Sequence, residues 1–112
     1  MGENALKVSR KFLMIIEWLG FSVKPQLREK FLAEDREIWT PILAKSDGFL
    51  GKEVWLDPTR GDRVFIIVRW QSRQQWKGIS STLLEATEQK FALAVGVDNY
   101  QIIESKEYQV AN

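Results

Sequence analysis

The sequence of 112 residues contains no cysteine and no histidine. Without cysteine it can form no disulfide, no thiolate nucleophile and no thiolate metal site. Without histidine it lacks the commonest general base, the commonest zinc ligand and the usual haem ligand. No group of carboxylates shows the spacing of a metal site, so only a hard cation with oxygen ligands would be possible. We therefore expect no metal and no cofactor.

An excess of one charge is also lacking. Lysine and arginine total 16 and aspartate and glutamate total 15, for a net charge of +1. Acids alternate with bases at Arg28-Glu29-Lys30 and Asp35-Arg36-Glu37, a pattern typical of a solvated helix face. A nucleic-acid partner is not expected, because it would need a concentrated basic face. The sequence also has no glycine-rich phosphate loop and no serine in a nucleophile elbow.

Long apolar runs are missing. The run Phe12–Ile16 ends at Glu17, and no small-residue cleavage site follows it. We therefore expect neither a signal peptide nor a membrane span, and a cytoplasmic protein. Residues 1–11 are polar and aperiodic, which predicts a flexible arm, and residues 12–112 are predicted to form one domain. Apolar residues make up 45% of the chain, enough for a folded core.

Turn and cap signals divide the rest into the order β-α-β-β-α-β. Pro41 lies inside the first helix and predicts a kink, or a restart capped by Thr40. Thr82 and Glu85 form a capping-box pattern for the second helix. The order predicts an α+β, ferredoxin-like fold with a four-stranded antiparallel sheet. The predicted strands are Phe12–Val23, Phe49–Leu56, Arg63–Trp70 and Tyr100–Val110; the predicted helices are Pro25–Lys45, a short turn from Ser72 to Trp76, and Thr82–Val95.

The predicted strands are apolar on both faces. Val64–Val68 is apolar at every position, and so is Leu13–Ile16. Two helices can cover only one face of such a sheet. A second copy of the chain is the simplest cover for the other face, which predicts a homodimer through the sheet. The alternative is that the arm or irregular strand ends cover it.

The first helix carries a cation and an anion within its apolar stripe. Arg28 and Asp35 are seven residues apart, so they lie nearly above one another on the same side of the helix. Apolar residues, Phe31 and Trp39 among them, lie on either side of the two. Such a pair is either a structural ion pair or snorkelling side chains. Alternatively, it forms the polar corner of an apolar ligand pocket.

Tryptophan is frequent, with five in the chain. Trp18, Trp55 and Trp70 lie on predicted strands, whereas Trp39 and Trp76 lie on predicted helices. These side chains either pack in the core and at the dimer interface or line a pocket that stacks on a planar substrate.

Two polar residues interrupt apolar strands. Glu17 and Arg69 could pair if both point to the same interior. A buried Glu17 would have a raised pKa, suited to a base that takes a proton from a phenol. Thr87 falls within the apolar arc of the last helix, where a buried threonine usually bonds back to the helix.

Several segments resemble a small cyanobacterial family. They are Ile16–Leu19, Pro25–Phe31, Glu37–Thr40, Gly48–Trp55, Arg69–Ser72, Gln75–Lys77, Leu84–Phe91 and Glu104–Tyr108. That family in turn resembles the antibiotic-biosynthesis-monooxygenase type of dimeric α+β barrel. The shared features are Gly48-Phe49 and a strand that ends in Trp70-Gln71-Ser72.

The resemblance implies a dimeric barrel with a pocket between helices and sheet, but it does not settle the activity. Haem-degrading relatives use a strand asparagine, a tryptophan and a histidine. Trp70 fits, but the positions around Glu17–Gly20 offer no asparagine and the chain has no histidine, so haem degradation is not expected.

Three functions remain open. The first is binding of a small apolar or aromatic molecule; the alternative is a cofactor-independent monooxygenase acting on a phenol or quinol. The third is an assembly protein that uses its sheet surface. Candidate catalytic residues are Glu17, Asp35 and Trp70. The predicted pocket residues are Arg28, Phe31, Asp35, Trp39, Trp70, Trp76 and Thr87.

Overall fold

The computed structural model describes residues 14–111, so the predicted arm at residues 1–11 lies outside the described part. Within this part, four strands and four α-helices follow one another in the predicted order. The strands are β1 (Ile15–Val23), β2 (Phe49–Leu56), β3 (Arg63–Trp70) and β4 (Tyr100–Gln109); the helices are α1 (Arg28–Glu34), α2 (Thr40–Ala44), α3 (Arg73–Lys77) and α4 (Ser81–Val95). Single 3₁₀ turns at Pro25–Leu27 and Val97–Asn99 precede α1 and β4.

The strands form one antiparallel sheet in the order β2-β3-β1-β4. The first and last strands of the chain are therefore neighbours, as are the two central strands of the sequence. This arrangement confirms the predicted ferredoxin-like fold. The β1–β4 pairing shifts register between Gly20 and Phe21, where a bulge bends the sheet.

The first helical segment is less regular than the sequence predicts. A π-helical turn at Asp35–Trp39 separates α1 from α2. Pro41 explains it, since proline lacks an N–H and its ring clashes with the carbonyl four residues earlier. The predicted restart at Thr40 is confirmed, but Thr40 is not a cap: its hydroxyl donates to the Asp35 carbonyl at 3.2 Å.

Of the two N-caps that the sequence predicts for the later helices, the structure confirms one. Ser72 caps α3 as predicted, and its Oγ accepts from the Gln75 amide at 3.1 Å. The predicted capping box at Thr82 is wrong, because Ser80 caps α4 and accepts from the Leu83 amide. Both serines satisfy an amide that has no partner within the helix.

The helices cover one face of the sheet. Alternate residues of β1 and β3 point at them and form the core with Phe31, Ile38, Phe91 and Val95. Phe31 lies at its centre, with ring centroids 5.2 Å from both Phe21 and Phe91. The sheet's contributions to this core are Phe21, Val23, Val64, Ile66, Val68 and Trp70.

The opposite face of the sheet carries no helix within residues 14–111, and it combines an apolar patch with ion pairs such as Arg69–Glu53. Trp18 and Phe65 pack there with ring centroids 5.1 Å apart. Trp55 and Tyr108 flank them and are about half exposed. We call this surface, with Ile16 and Ile67, the open face.

Candidate functional site

A cavity of about 850 Å³ lies between the helices and the sheet. Its size falls within the range of pockets that enclose a small organic molecule. Most of the side chains that line the cavity are aliphatic or aromatic, and a smaller number are polar. The apolar lining is Leu19, Phe21, Phe31, Trp39, Leu43, Ile66, Val68, Trp76, Ile79, Leu84, Phe91, Val97, Tyr100 and Ile102; the polar lining is Glu17, Asp35, Lys52, Glu85, Glu88 and Gln89.

The first polar group of the interior is the carboxyl of Glu17 on β1. Its Oε1 accepts a 3.1 Å hydrogen bond from the indole Nε1 of Trp70, which is itself fully buried at the end of β3. Burial raises the pKa of Glu17, and the Trp70 bond and the nearby charge of Lys77 oppose that shift. Glu17 can therefore take up a proton more readily than an exposed glutamate.

The second polar group of the interior is a cluster at the π-turn. The Nζ of Lys52 on β2 donates to Oδ2 of Asp35 and, at 2.7 Å, to Oγ1 of Thr40. The side chains of Lys52 and Asp35 are only 5% and 4% exposed. Burial raises the pKa of Asp35, against the opposing charge and hydrogen bond of Lys52.

The same pair borders a second, smaller cavity of about 240 Å³ behind α1. Leu32, Val54 and Leu56 supply apolar walls of this smaller space, while Asp35 and Lys52 belong to both linings. The ion pair therefore divides the two spaces. It was not evident from the sequence, because a lysine on an edge strand is common as a guard against aggregation.

The strand register places the two interior polar groups in one row. Val68 is the partner of Glu17 on one side and of Lys52 on the other. All three side chains face the helices and line the cavity. Two strand spacings, roughly 10 Å, therefore separate the Cα atoms of Glu17 and Lys52.

A hydrogen bond between two residues that line the cavity connects β4 to α4. The hydroxyl of Tyr100 donates to Oε2 of Glu88 at 2.5 Å. Burial, with the neighbouring Glu88, raises the pKa of Tyr100, which keeps its hydroxyl protonated as a donor. This bond links the last strand to the helix that covers it.

The structure brings together four of the predicted pocket residues. Phe31, Asp35, Trp39 and Trp76 all line the cavity. Trp70 lies behind the lining and reaches the site through Glu17. Thr87 is buried, and its hydroxyl donates to the Leu83 carbonyl at 2.7 Å. It therefore bonds back to its own helix and does not line the cavity.

Two ion pairs that the sequence left open do not form. Arg28 does not meet Asp35: its Nε lies 3.9 Å from Glu29, its side chain is partly exposed, and Asp35 pairs with Lys52 instead. Seven residues of helix span about 10 Å, so a shared line does not bring two charges into contact. Glu17 and Arg69 lie on opposite faces of the sheet, because Arg69 is the partner of Ile16. Arg69 pairs with Glu53 at 3.2 Å.

Within residues 14–111, no three acidic side chains converge as a metal site requires. Over the same range, no helix has the length and apolar character needed to span a bilayer.

These features define a ferredoxin-like α+β protein with an apolar cavity bordered by two carboxyls, the half-buried Glu17 and the buried Asp35. Residues 12–82 match the family model of the antibiotic biosynthesis monooxygenases, and the match covers more than half of the chain. The chain belongs to that family. The narrower cyanobacterial group suggested by its segments remains a prediction.

Solved structures share the fold at low sequence identity. SnoaB, a cofactor-independent oxygenase from Streptomyces nogalater, is 14% identical with a TM-score of 0.63, covering 88% of this chain and 94% of its own. A conserved protein from Methanosarcina mazei is 15% identical with a TM-score of 0.68, covering 90% and 96%. MupZ from Pseudomonas fluorescens is 12% identical with a TM-score of 0.68, covering 87% and 68%. No curated protein matches the sequence significantly.

Proposed function

We propose that the protein binds a small, largely apolar aromatic molecule in the cavity between helices and sheet. The observation that carries this proposal is the cavity itself, with about 850 Å³ of space and mostly apolar walls. Trp39 and Trp76 offer aromatic surfaces for stacking. Glu17 and Lys52 offer a few fixed polar contacts, which is how apolar pockets orient a ligand.

Binding of 2-naphthol tests this proposal directly. Titration followed by calorimetry should give one site per chain. Leu84→Trp places a large side chain in the lining and should abolish binding. Leu93→Trp makes the same change on the same helix at a residue that is 89% exposed, and should bind as the wild type does. Equal loss in both variants, or no binding by the wild type, overturns the proposal.

A second candidate function is a cofactor-independent oxygenase acting on a phenol or quinol. It is favoured by Glu17, a carboxyl that borders the cavity and has a raised pKa. Glu17 would remove a proton from the substrate, and the resulting carbanion would react with dioxygen. With anthrone, the reacting carbon loses two hydrogens and gains one oxygen atom as a carbonyl, while the other oxygen atom leaves as water.

Oxygen uptake with anthrone measures this activity. The wild type should consume one dioxygen per anthraquinone formed, above the rate without protein. Glu17→Gln keeps the acceptor for Trp70 but cannot take a proton, and should lower the rate about a hundredfold or more. Retained activity in Glu17→Gln would remove Glu17 as the base. No activity in the wild type would leave binding as the function.

The open face supports a homodimer as part of the proposal. Trp18, Phe65 and the half-exposed Trp55 form an apolar surface on a sheet face that the helices do not cover. A second copy presents the same surface, so a twofold arrangement would bury both.

A further inference from the structure

We propose that Lys52 acts as a specificity residue, which selects an aromatic ligand with oxygen atoms at both ends. One oxygen would be a hydroxyl that donates to Glu17, and the other an acceptor for the Lys52 ammonium. The inference rests on the proposed binding function and adds the class of ligand. It comes from the positions of two polar groups on the cavity floor.

The sheet register sets the spacing between the Cα atoms of the two residues. Glu17 and Lys52 flank Val68 in one row on the helix-facing side, roughly two strand spacings apart. Val68 lies between them, and Ile66, two residues along β3, extends the apolar floor of the cavity. A flat apolar body fits over this floor, and its two ends reach the polar groups. A ligand with both oxygens at one end could satisfy only one of them.

The fixed position of Lys52 makes it suited to recognition. Its ammonium carries three donors, and Asp35 and Thr40 accept two within residues 14–111. Thr40 in turn donates to the Asp35 carbonyl in the π-turn, so the lysine is held from both sides. The third donor is left for a ligand in the cavity that Lys52 borders.

Glu17 and Lys52 play opposite hydrogen-bonding roles toward a ligand. The ionised carboxyl of Glu17 can only accept, and it has its second oxygen for the ligand because Trp70 engages the first. Lys52 can only donate. The ligand is therefore directional, with a hydroxyl toward Glu17 and a carbonyl, ether or hydroxyl oxygen toward Lys52. A hydrogen bond to a charged group changes affinity by about tenfold or more.

Isomeric naphthalenediols test the spacing. The wild type should bind 2,6-dihydroxynaphthalene about tenfold tighter than 2-naphthol. It should bind 2,3-dihydroxynaphthalene, with both hydroxyls at one end, no tighter than 2-naphthol. The double variant Asp35→Asn/Lys52→Met, which leaves no unpaired buried charge, should bind the 2,6 isomer no tighter than it binds 2-naphthol. Lys45→Met, at an exposed lysine, should keep the preference.

A second comparison uses only the wild type, so it remains informative if the double variant does not fold. The wild type should bind 6-methoxy-2-naphthol tighter than 6-ethyl-2-naphthol, because only the methoxy oxygen accepts from Lys52. If 2-naphthol binds but neither comparison shows a preference, the specificity role of Lys52 is overturned while the binding function stands. A preference that survives in the double variant also overturns it. If 2-naphthol itself does not bind, the proposed function fails.

Discussion

The indole Nε1 of Trp70 donates a 3.1 Å hydrogen bond to the carboxyl of Glu17, 53 positions earlier in the sequence. The two residues lie on neighbouring strands, β3 and β1, and both point toward the helices. One end of this bond is a fully buried core residue and the other borders the cavity. The core thus fixes the orientation of a carboxyl that a ligand would meet.

The raised pKa of Glu17 predicts a pH-dependent stability. Because burial favours the protonated form in the folded state, the stabilisation is complete below the ordinary pKa of 4.5 and is lost as the pH rises through the folded value. Glu17→Gln removes this dependence. Its free energy of unfolding in urea should therefore rise relative to the wild type as the pH increases above the ordinary pKa of 4.5.

Glu29→Gln, the same substitution at an exposed helix residue, controls for the loss of a carboxyl. A difference between Glu17→Gln and the wild type that stays constant with pH would contradict the raised pKa of Glu17.

Trp70→Phe should destabilise the fold by about 2–4 kcal/mol, because it opens space in the core and leaves Glu17 without its donor. The Trp70 bond lowers the pKa of Glu17, so that pKa should rise further in the variant. Urea unfolding of Trp70→Phe, Glu17→Leu and the double variant gives the coupling energy of the pair, because leucine removes the acceptor. Additive effects would show that the hydrogen bond contributes nothing.

Lys52→Met should cost about 3–5 kcal/mol, because it leaves the charge of Asp35 buried without a partner. The double variant with Asp35→Asn should recover much of that loss, since no uncompensated charge remains. Lys45→Met, at an exposed site, should stay close to the wild type. Thermal unfolding followed by circular dichroism measures all three. A double variant no more stable than Lys52→Met would argue against the pair.

Much of the fold could be predicted from local sequence patterns. The apolar run Val64–Val68, the turn signals and the Ser72 cap all depend on residues close in the chain, and they gave the strand order and most boundaries. The π-turn was missed because its cause, Pro41, acts on the turn before it. The cap of α4 was misplaced because Ser80 and Thr82 are competing signals two residues apart.

The polar part of the site was harder to predict, because it depends on tertiary pairing. Asp35 was singled out by its place in an apolar stripe, but its partner Lys52 comes from a strand 17 residues later. The faces of Glu17 and Arg69 follow from the β1–β3 register, and a shift of one residue would exchange them. The sequence could therefore identify Glu17 and Asp35 as candidates, but it could not predict their hydrogen-bond and ion-pair partners.

Gly48→Ala should destabilise the protein by about 1–3 kcal/mol. Gly48 has a φ of +83°, and an added Cβ would lie 2.6–2.8 Å from atoms of the Gln75 side chain. Its carbonyl also accepts from the Gln71 amide at 2.7 Å, which links the start of β2 to the end of β3. Gly51→Ala is the matched control, because an added Cβ there meets nothing within 4 Å. Equal melting temperatures for the two variants would contradict this role.

Trp55→Asp should convert the proposed dimer to a monomer without unfolding it. Trp55 lies on the edge strand β2 within the open face and is 47% exposed, so the change disturbs little of the core. A charge buried within an apolar interface costs far more than one at the surface, because it loses water without gaining a partner. Native mass spectrometry should give twice the chain mass for the wild type and for Leu93→Asp, an exposed control on α4, and the single chain mass for Trp55→Asp. A wild type that is monomeric would show that something other than a second copy covers the open face, or that water does.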